Sequence, residues 1–102
     1  MGILSRIFGL KPKTDYKKLL QQGAIIIDVR SAAEFSNGHI KKSKNIPLES
    51  LHNRTSKFKK DKPIILCCAT GMRSGTARRS LKSQGFEVYN GGGWLSLDRK
   101  LQ

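Results

Sequence analysis

Two adjacent cysteines, Cys67 and Cys68, close an apolar run and are followed by Ala69-Thr70-Gly71-Met72-Arg73-Ser74-Gly75. Cysteine attacks as the thiolate, which inward-pointing amides and the positive end of a helix dipole both favour over the thiol. A cysteine that leaves a buried strand and enters a helix through a tight turn has both. Gly71 lets the backbone curl, and Arg73 adds a fixed positive charge at the rim. A bare cysteine at a strand end is most simply an inert core residue. Glycine and arginine in these places, just before a helix, argue for chemistry instead.

The loop can be counted in two ways. From Cys68, four residues precede Arg73 and the loop is a compact six. From Cys67, the spacing is the C-x5-R of cysteine phosphatases and some arsenate reductases, whose larger loop cradles a tetrahedral oxyanion. Ile64, Ile65 and Leu66 lead directly into Cys67, which reads as the last strand residue and a small apolar filler. Leu66 also stands where phosphatase loops commonly carry histidine. The compact register with Cys68 as nucleophile is favoured, and the Cys67 register stays open as the alternative.

These residues need a scaffold, and the chain supplies alternating elements. Thr14 reads as an N-cap for a helix carrying Tyr16, Leu19 and Leu20, ended at Gly23. Ala24 to Val29 is a short, continuous, β-branched run, as in a strand buried on both faces. A short helix over Ala32–Ser36 precedes the Asn37-Gly38 turn, and Asn45-Ile46-Pro47 is a brief strand. Ile64 to Cys68 is a second buried run, and Ser74–Gln84 is helical, with Ala77 and Leu81 inward. Phe86 packs back on that helix's last turn, Phe86–Tyr89 is a further strand, Gly91-Gly92-Gly93 a flexible turn, and Trp94 opens a last helix. The order predicts an α/β fold: a small, mainly parallel sheet with helices on both faces. Ligands in such sheets lie beyond the carboxyl ends of the strands. That edge gathers Asp28 to Ser31, Cys68 to Arg73 and Asn90 to Trp94.

Composition bounds the rest. The 102 residues suit one domain over 14–102 behind a tail of 1–13. Adjacent Cα atoms are about 3.8 Å apart, too close for an ordinary disulfide, so two free thiols and a reducing, cytoplasmic setting are expected. The net charge of +13 favours anionic substrates and acidic partners, although a solvated, solubilising face accounts for most such runs. No aromatic interleaving or nucleic-acid motif accompanies it, so nucleic acid is not an expected partner. No stretch reaches the roughly 18 apolar residues of a membrane span. The tail places Ile3, Leu4, Ile7 and Phe8 on one possible helical face, but packing or fraying is expected of it rather than membrane contact. The expected state is a monomer.

Ile27-Asp28-Val29-Arg30 with Glu34-Phe35, then Gly38-His39-Ile40, then Asn45-Ile46-Pro47 resembles the D-x-R-x-x-x-E-F, G-H-I, N-I-P series of rhodanese domains. Cys68-x-x-Gly71-x-Arg73-Ser74 resembles their active loop, and Gly85-Phe86, Val88 and Gly92-Gly93-Trp94 their closing segment. The match runs in order from about Thr14 to Trp94. It departs at Lys42-Ser43, where the family usually has Gly-Ala, and at Leu10-Lys11-Pro12, which shortens or replaces the family's customary first edge strand, so the resemblance implies a sheet of four or five strands.

The resemblance implies a sulfurtransferase. Cys68 would take sulfane sulfur from a small anionic donor such as thiosulfate and pass it, as a persulfide, to a thiol or protein acceptor. The amides of Ala69, Thr70, Gly71, Met72 and Arg73 would hold the persulfide anion, and Arg73 the donor's anionic end. No metal or organic cofactor is required. Asp28 and Arg30 are expected to pair in support of the loop, Glu34 to brace Arg30 or a nearby amide, and His39 to hydrogen-bond behind the site. His52 reads as a surface residue and Trp94 as a core plug. A non-catalytic sulfur carrier or binding module is the remaining reading.

Overall fold

The computed structural model describes residues 13–102, so the readings of the tail and of Leu10-Lys11-Pro12 lie outside the described residues. Four strands form one wholly parallel sheet in the order β2-β1-β3-β4: β1 Ile25–Asp28, β2 Lys44–Asn45, β3 Ile64–Cys68 and β4 Val88–Gly93. Around it lie α1 Tyr16–Gln21, α2 Ala32–Ser36, α3 Leu48–Leu51, a 3-10 turn at Thr55–Lys57, α4 Met72–Ser83 and α5 Trp94–Lys100.

β3 is buried along its whole length, and its alternation divides the core. Ile64, Leu66 and Cys68 face α3 and α4, packing with Leu51, Ala77, Leu81 and Phe86. Ile65 and Cys67 face α1 and α5, packing with Leu19 and Leu97. Burying each Ile or Leu contributes about 1.5–3 kcal/mol, so this strand anchors both layers. Phe86 returns onto α4 as expected, its N–H donating to the Leu81 carbonyl at 3.2 Å.

Several boundaries differ from the sequence reading, each for a local reason. Asp15, not Thr14, caps α1, because its carboxylate accepts from the Lys18 N–H at 3.1 Å. The second strand is Lys44–Asn45 rather than 45–47; Pro47 instead precedes the short α3. The third strand spans Ile64–Cys68, the whole of the expected run, and so ends one residue past Cys67, while α4 starts at Met72, two residues before the expected Ser74. β4 begins at Val88, not Phe86, and absorbs Gly91-Gly92-Gly93, the expected flexible turn. These glycines form a bulge: Leu66 pairs with Asn90 and Cys68 with Gly93, so β4 carries one residue more than β3 opposite it. Gly92 takes φ +84° there, and alanine's Cβ at Gly91 would lie 2.8 Å from Leu97 Cδ2. Lys42 fills its turn in the left-handed region, at φ 69°.

Candidate active site

The site is built where β3 ends. Cys68 leaves the strand, Gly71 turns the chain at φ +94°, and α4 begins with no side-chain cap. Its first amides are therefore free for the sulfur. Cys68 Sγ accepts from the Gly71 N–H at 3.0 Å and from the Ser74 N–H at 3.4 Å, with the Ser74 hydroxyl 3.3 Å away. Burial alone would raise the thiol's pKa. The Ser74 hydroxyl, then the amides of Ser74, Thr70 and Gly71, outweigh it and bring Cys68 below its ordinary value.

Cys67 is the opposite case. It is buried on the other face of the sheet, and desolvation, followed by the Asp28 carboxylate, pushes its thiol up to about 12. Successive strand residues point to opposite faces, so only one of the two sulfurs can meet the amide loop.

The remaining expected residues divide into three groups. Ala69 and Thr70 form the loop's outer arc, where the Ala69 carbonyl lies so close to Gly93 that a Cβ there would stand 2.8 Å from the oxygen. Met72 points away from the sulfur and is 78% exposed. Arg73 stands at the rim, where its guanidinium donates to both Glu34 carboxylate oxygens at 2.7 and 2.9 Å. That fork, with the Ser31 N–H behind it, lowers the Glu34 carboxyl to about 2. Glu34 thus braces the Ser31 amide and Arg73; Arg30 reaches only its backbone carbonyl.

Asp28 and Arg30 pair as expected, as a knot whose side-chain bonds from Arg30 go to Asp28, Glu34 and Gly38 rather than to the loop. Arg30 donates to Asp28 from Nε and Nη2, the shorter bond at 2.7 Å, and also to the Gly38 carbonyl at 2.6 Å. Its guanidinium lies 4.8 Å from the Trp94 ring centroid. Trp94 is half-buried and packs on the second core layer, so it joins α5 to this knot rather than acting as a buried plug. Asn45 adds two side-chain N–H bonds to the carbonyls of Asp28 and Arg30.

His39 does not support the loop. Its ring is exposed, stacks on Phe35 with centroids 3.7 Å apart, and hydrogen-bonds the Phe35 carbonyl. His52 is exposed, as expected. Two residues that touch the sulfur's surroundings were not singled out: Ser74 and Asn90. Ser74 Oγ donates to Asn90 Oδ1 at 2.6 Å, and Asn90 Nδ2 donates to the Gly71 carbonyl at 3.1 Å. Ser74 had a signal, since it follows Arg73 in the loop; Asn90 had only its position on the shared edge.

Among the described residues, no group of three or more His, Cys, Asp or Glu is placed to hold a metal ion. None of the described helices is long and apolar enough to cross a membrane.

Comparison with known proteins gives a consistent picture. The sequence pattern of the Rhodanese-like domain matches residues 12–97. Thiosulfate sulfurtransferase GlpE of Pseudomonas savastanoi pv. phaseolicola is 35% identical over 89 residues, covering 86% of this chain and 84% of that protein. The uncharacterized protein YqhL of Bacillus subtilis is 44% identical over 68 residues, which are 66% of this chain and 54% of its own length. Among solved structures, reduced CoADR-RHD of Bacillus anthracis superposes with a TM-score of 0.73 at 36% identity, over 85% of this chain and 16% of that much longer one. A rhodanese with anions from E. coli gives a TM-score of 0.66 at 30% identity, over 72% of this chain and 89% of that chain.

Proposed function

This chain belongs to the rhodanese-like domain family, and from that premise we propose that it is a sulfurtransferase carrying sulfane sulfur as a persulfide on Cys68. The observation that carries the assignment is the cradle at the sulfur: two backbone N–H groups and a hydroxyl converge on Cys68 Sγ at the start of a 12-residue helix. Such a cradle favours an anion at sulfur in both the thiolate and the persulfide.

The Cys68 thiolate attacks the outer sulfur of thiosulfate. An S–S bond forms to Cys68 as the bond to the sulfite sulfur breaks, and sulfite leaves with the electron pair. Cyanide or a thiolate then attacks the terminal sulfur and returns Cys68 as a thiolate, so charge and electrons balance without a redox partner. Cys68 is fully covered in the present arrangement, so the donor's narrow end must enter as the outer arc of the loop gives way. The exposed edge of Arg73, held at the rim by Glu34, is the cation that meets the donor's sulfonate. The Asp28–Arg30 pair connects to the rim through Glu34, whose backbone carbonyl accepts from Arg30 and whose carboxylate holds Arg73.

The C-x5-R alternative would make Cys67 the nucleophile. Its burial among Leu19, Ile65 and Leu97, with its thiol pushed up to about 12, weighs against that. Two free thiols fit a reducing compartment such as the cytoplasm. Assaying thiosulfate:cyanide transfer beside aryl-phosphate and arsenate turnover tests the proposal. Sulfur transfer alone is expected; phosphatase or arsenate reductase activity without it would overturn it.

A further inference from the structure

We propose that Asn90 is a positioning residue for the chemistry at Cys68: it holds the Ser74 hydroxyl proton while the sulfur is a thiol and yields it when the sulfur ionises. The proposal rests on the reading of Cys68 as the reacting sulfur.

The orientation of the Asn90 amide is fixed from both ends. Nδ2 faces the Gly71 carbonyl at 3.1 Å, and Oδ1 faces the Gly92 N–H at 2.9 Å, so the amide cannot be turned over without losing both bonds. An acceptor therefore stands 2.6 Å from Ser74 Oγ, a separation that requires the hydroxyl proton between the two oxygens. Ser74 has one proton and is fully buried, with no solvent to lend another. While that proton lies on Asn90, the Ser74 oxygen offers Cys68 only lone pairs across 3.3 Å, which suits an S–H donor and not a thiolate.

Ionisation reverses the demand. The thiolate has no proton to give, so Ser74 must rotate its O–H from Oδ1 onto sulfur. Asn90 Oδ1 then keeps the Gly92 N–H as its remaining partner. One proton thus serves two acceptors in turn, and the Asn90 carbonyl competes with the thiolate for it. Asn90 reaches the other sulfur donors only through its bond to the Gly71 carbonyl. The Gly71 and Ser74 amides are aimed by the Gly71 turn and the first turn of α4, and the Gly71 carbonyl also accepts from the Gly75 N–H at 3.0 Å.

This competition has a sign that mere loosening of the loop would not have. Asn90→Leu removes the competing acceptor, frees the Ser74 proton for sulfur, and should lower the pH midpoint of Cys68 alkylation. Ser74→Ala removes the donor and should raise it. Charged and titratable groups around the pair are Arg73 with its Glu34 partner, Asp28 with Arg30, Cys67, Arg78, Arg79, Tyr16 and Tyr89. Cys67 is replaced in the background common to all the variants and the others are unaltered, so they bear equally on every variant compared.

The test is iodoacetamide alkylation against pH in a Cys67→Ala background, with Asn90→Leu and Asn90→Ala each made with Ser74 present and with Ser74→Ala. With Ser74 present, both Asn90 variants should shift the midpoint down by about half a unit, roughly a threefold rate gain below it, in line with one neutral hydrogen bond. With Ser74→Ala, the same substitutions should not move it. Circular dichroism establishes which variants are folded, and Asn90→Ala serves if the leucine does not pack. An unmoved or raised midpoint with Ser74 present, or the same downward shift in both backgrounds, would overturn the proposal. Alkylation reads sulfur ionisation without any transfer step. A protein that titrates as described but never loads sulfur would therefore overturn the sulfurtransferase reading and leave the Asn90 relay standing.

Discussion

Gly93→Ala should disable the loop that receives the sulfur, through one added methyl group. Gly93 has φ −68° and ψ 138°, ordinary extended backbone, so alanine meets no dihedral strain. Its weaker capping of α5 is offset by the lower entropy of the unfolded chain, each a few tenths to about 1 kcal/mol. What remains is contact: the new Cβ would stand 2.8 Å from the Ala69 carbonyl oxygen, where ordinary contact begins at 3.4 Å. Ala69 is the residue after the nucleophile, so its retreat drags the Gly71 amide off the sulfur. Overpacking of this kind costs about 1–3 kcal/mol, and at about 4–8 °C per kcal/mol the thermal midpoint should fall by roughly 4–24 °C. A displaced donor at a reacting anion should lower kcat/KM for thiosulfate:cyanide transfer by about 10- to 100-fold. Gly92→Ala is the control, because its Cβ has open space but its φ of +84° is strained by about 1–2 kcal/mol. The two variants should melt similarly and differ in activity. If Gly93→Ala keeps its activity within twofold, or both lose activity in step with stability, the loop is not seated on Gly93 as described.

Other substitutions separate the remaining roles. Cys68→Ser should abolish sulfur loading and keep the fold, whereas Cys67→Ala should keep most activity at a packing cost of about 1 kcal/mol; thermal melts and transfer rates of both decide it. Alkylation of Cys68 should have its midpoint below the ordinary thiol value of roughly 8.5, with Cys67 unreactive until much higher pH, and a single shared midpoint would contradict the two environments. Arg73→Ala should raise KM for thiosulfate while leaving stability nearly unchanged, because its pair with Glu34 is more than a third exposed. The folded Glu34 carboxyl lies near 2, below its unfolded value, so that pair's small contribution is complete above about pH 4.5 and fades as pH falls through about 2. Lys42→Gly should stabilise the protein by about 0.5–1 kcal/mol, relieving the left-handed backbone at φ 69°; a lower midpoint on denaturation would show the lysine side chain to be holding the turn.

What the chain spelled out locally was readable from the chain. β1 announces itself by its run of isoleucines and β3 as a continuous apolar run, and Cys68 is marked by glycine and arginine at fixed offsets on one short segment. What depended on distant partners was not. Gly91-Gly92-Gly93 reads as a flexible turn because glycine's conformational freedom dominates locally. Its real reasons are Leu97, which crowds Gly91, and the Ala69 carbonyl, which crowds Gly93. Asn90 and Ser74 are 16 residues apart and meet only because β4 pairs beside β3, which sets Asn90 opposite Leu66 on the face that carries α4. Glu34 lies one helical turn from Arg30, which suggested a local ion pair. The Arg30 side chain is already occupied by Asp28 and Gly38, and this leaves the Glu34 carboxylate for Arg73, 39 residues on. His39 misled for the converse reason: its partner, Phe35, is one helical turn back.

The most direct test of the central claim is intact mass after incubation with thiosulfate, then after cyanide, for the native protein, Cys68→Ser and Cys67→Ala. A persulfide on Cys68 means that the native protein and Cys67→Ala each gain the mass of one sulfur atom, that cyanide removes it, and that Cys68→Ser gains nothing. Loading of Cys68→Ser with loss of loading in Cys67→Ala would move the chemistry to Cys67 and contradict the assignment, as would a native protein that takes up no sulfur.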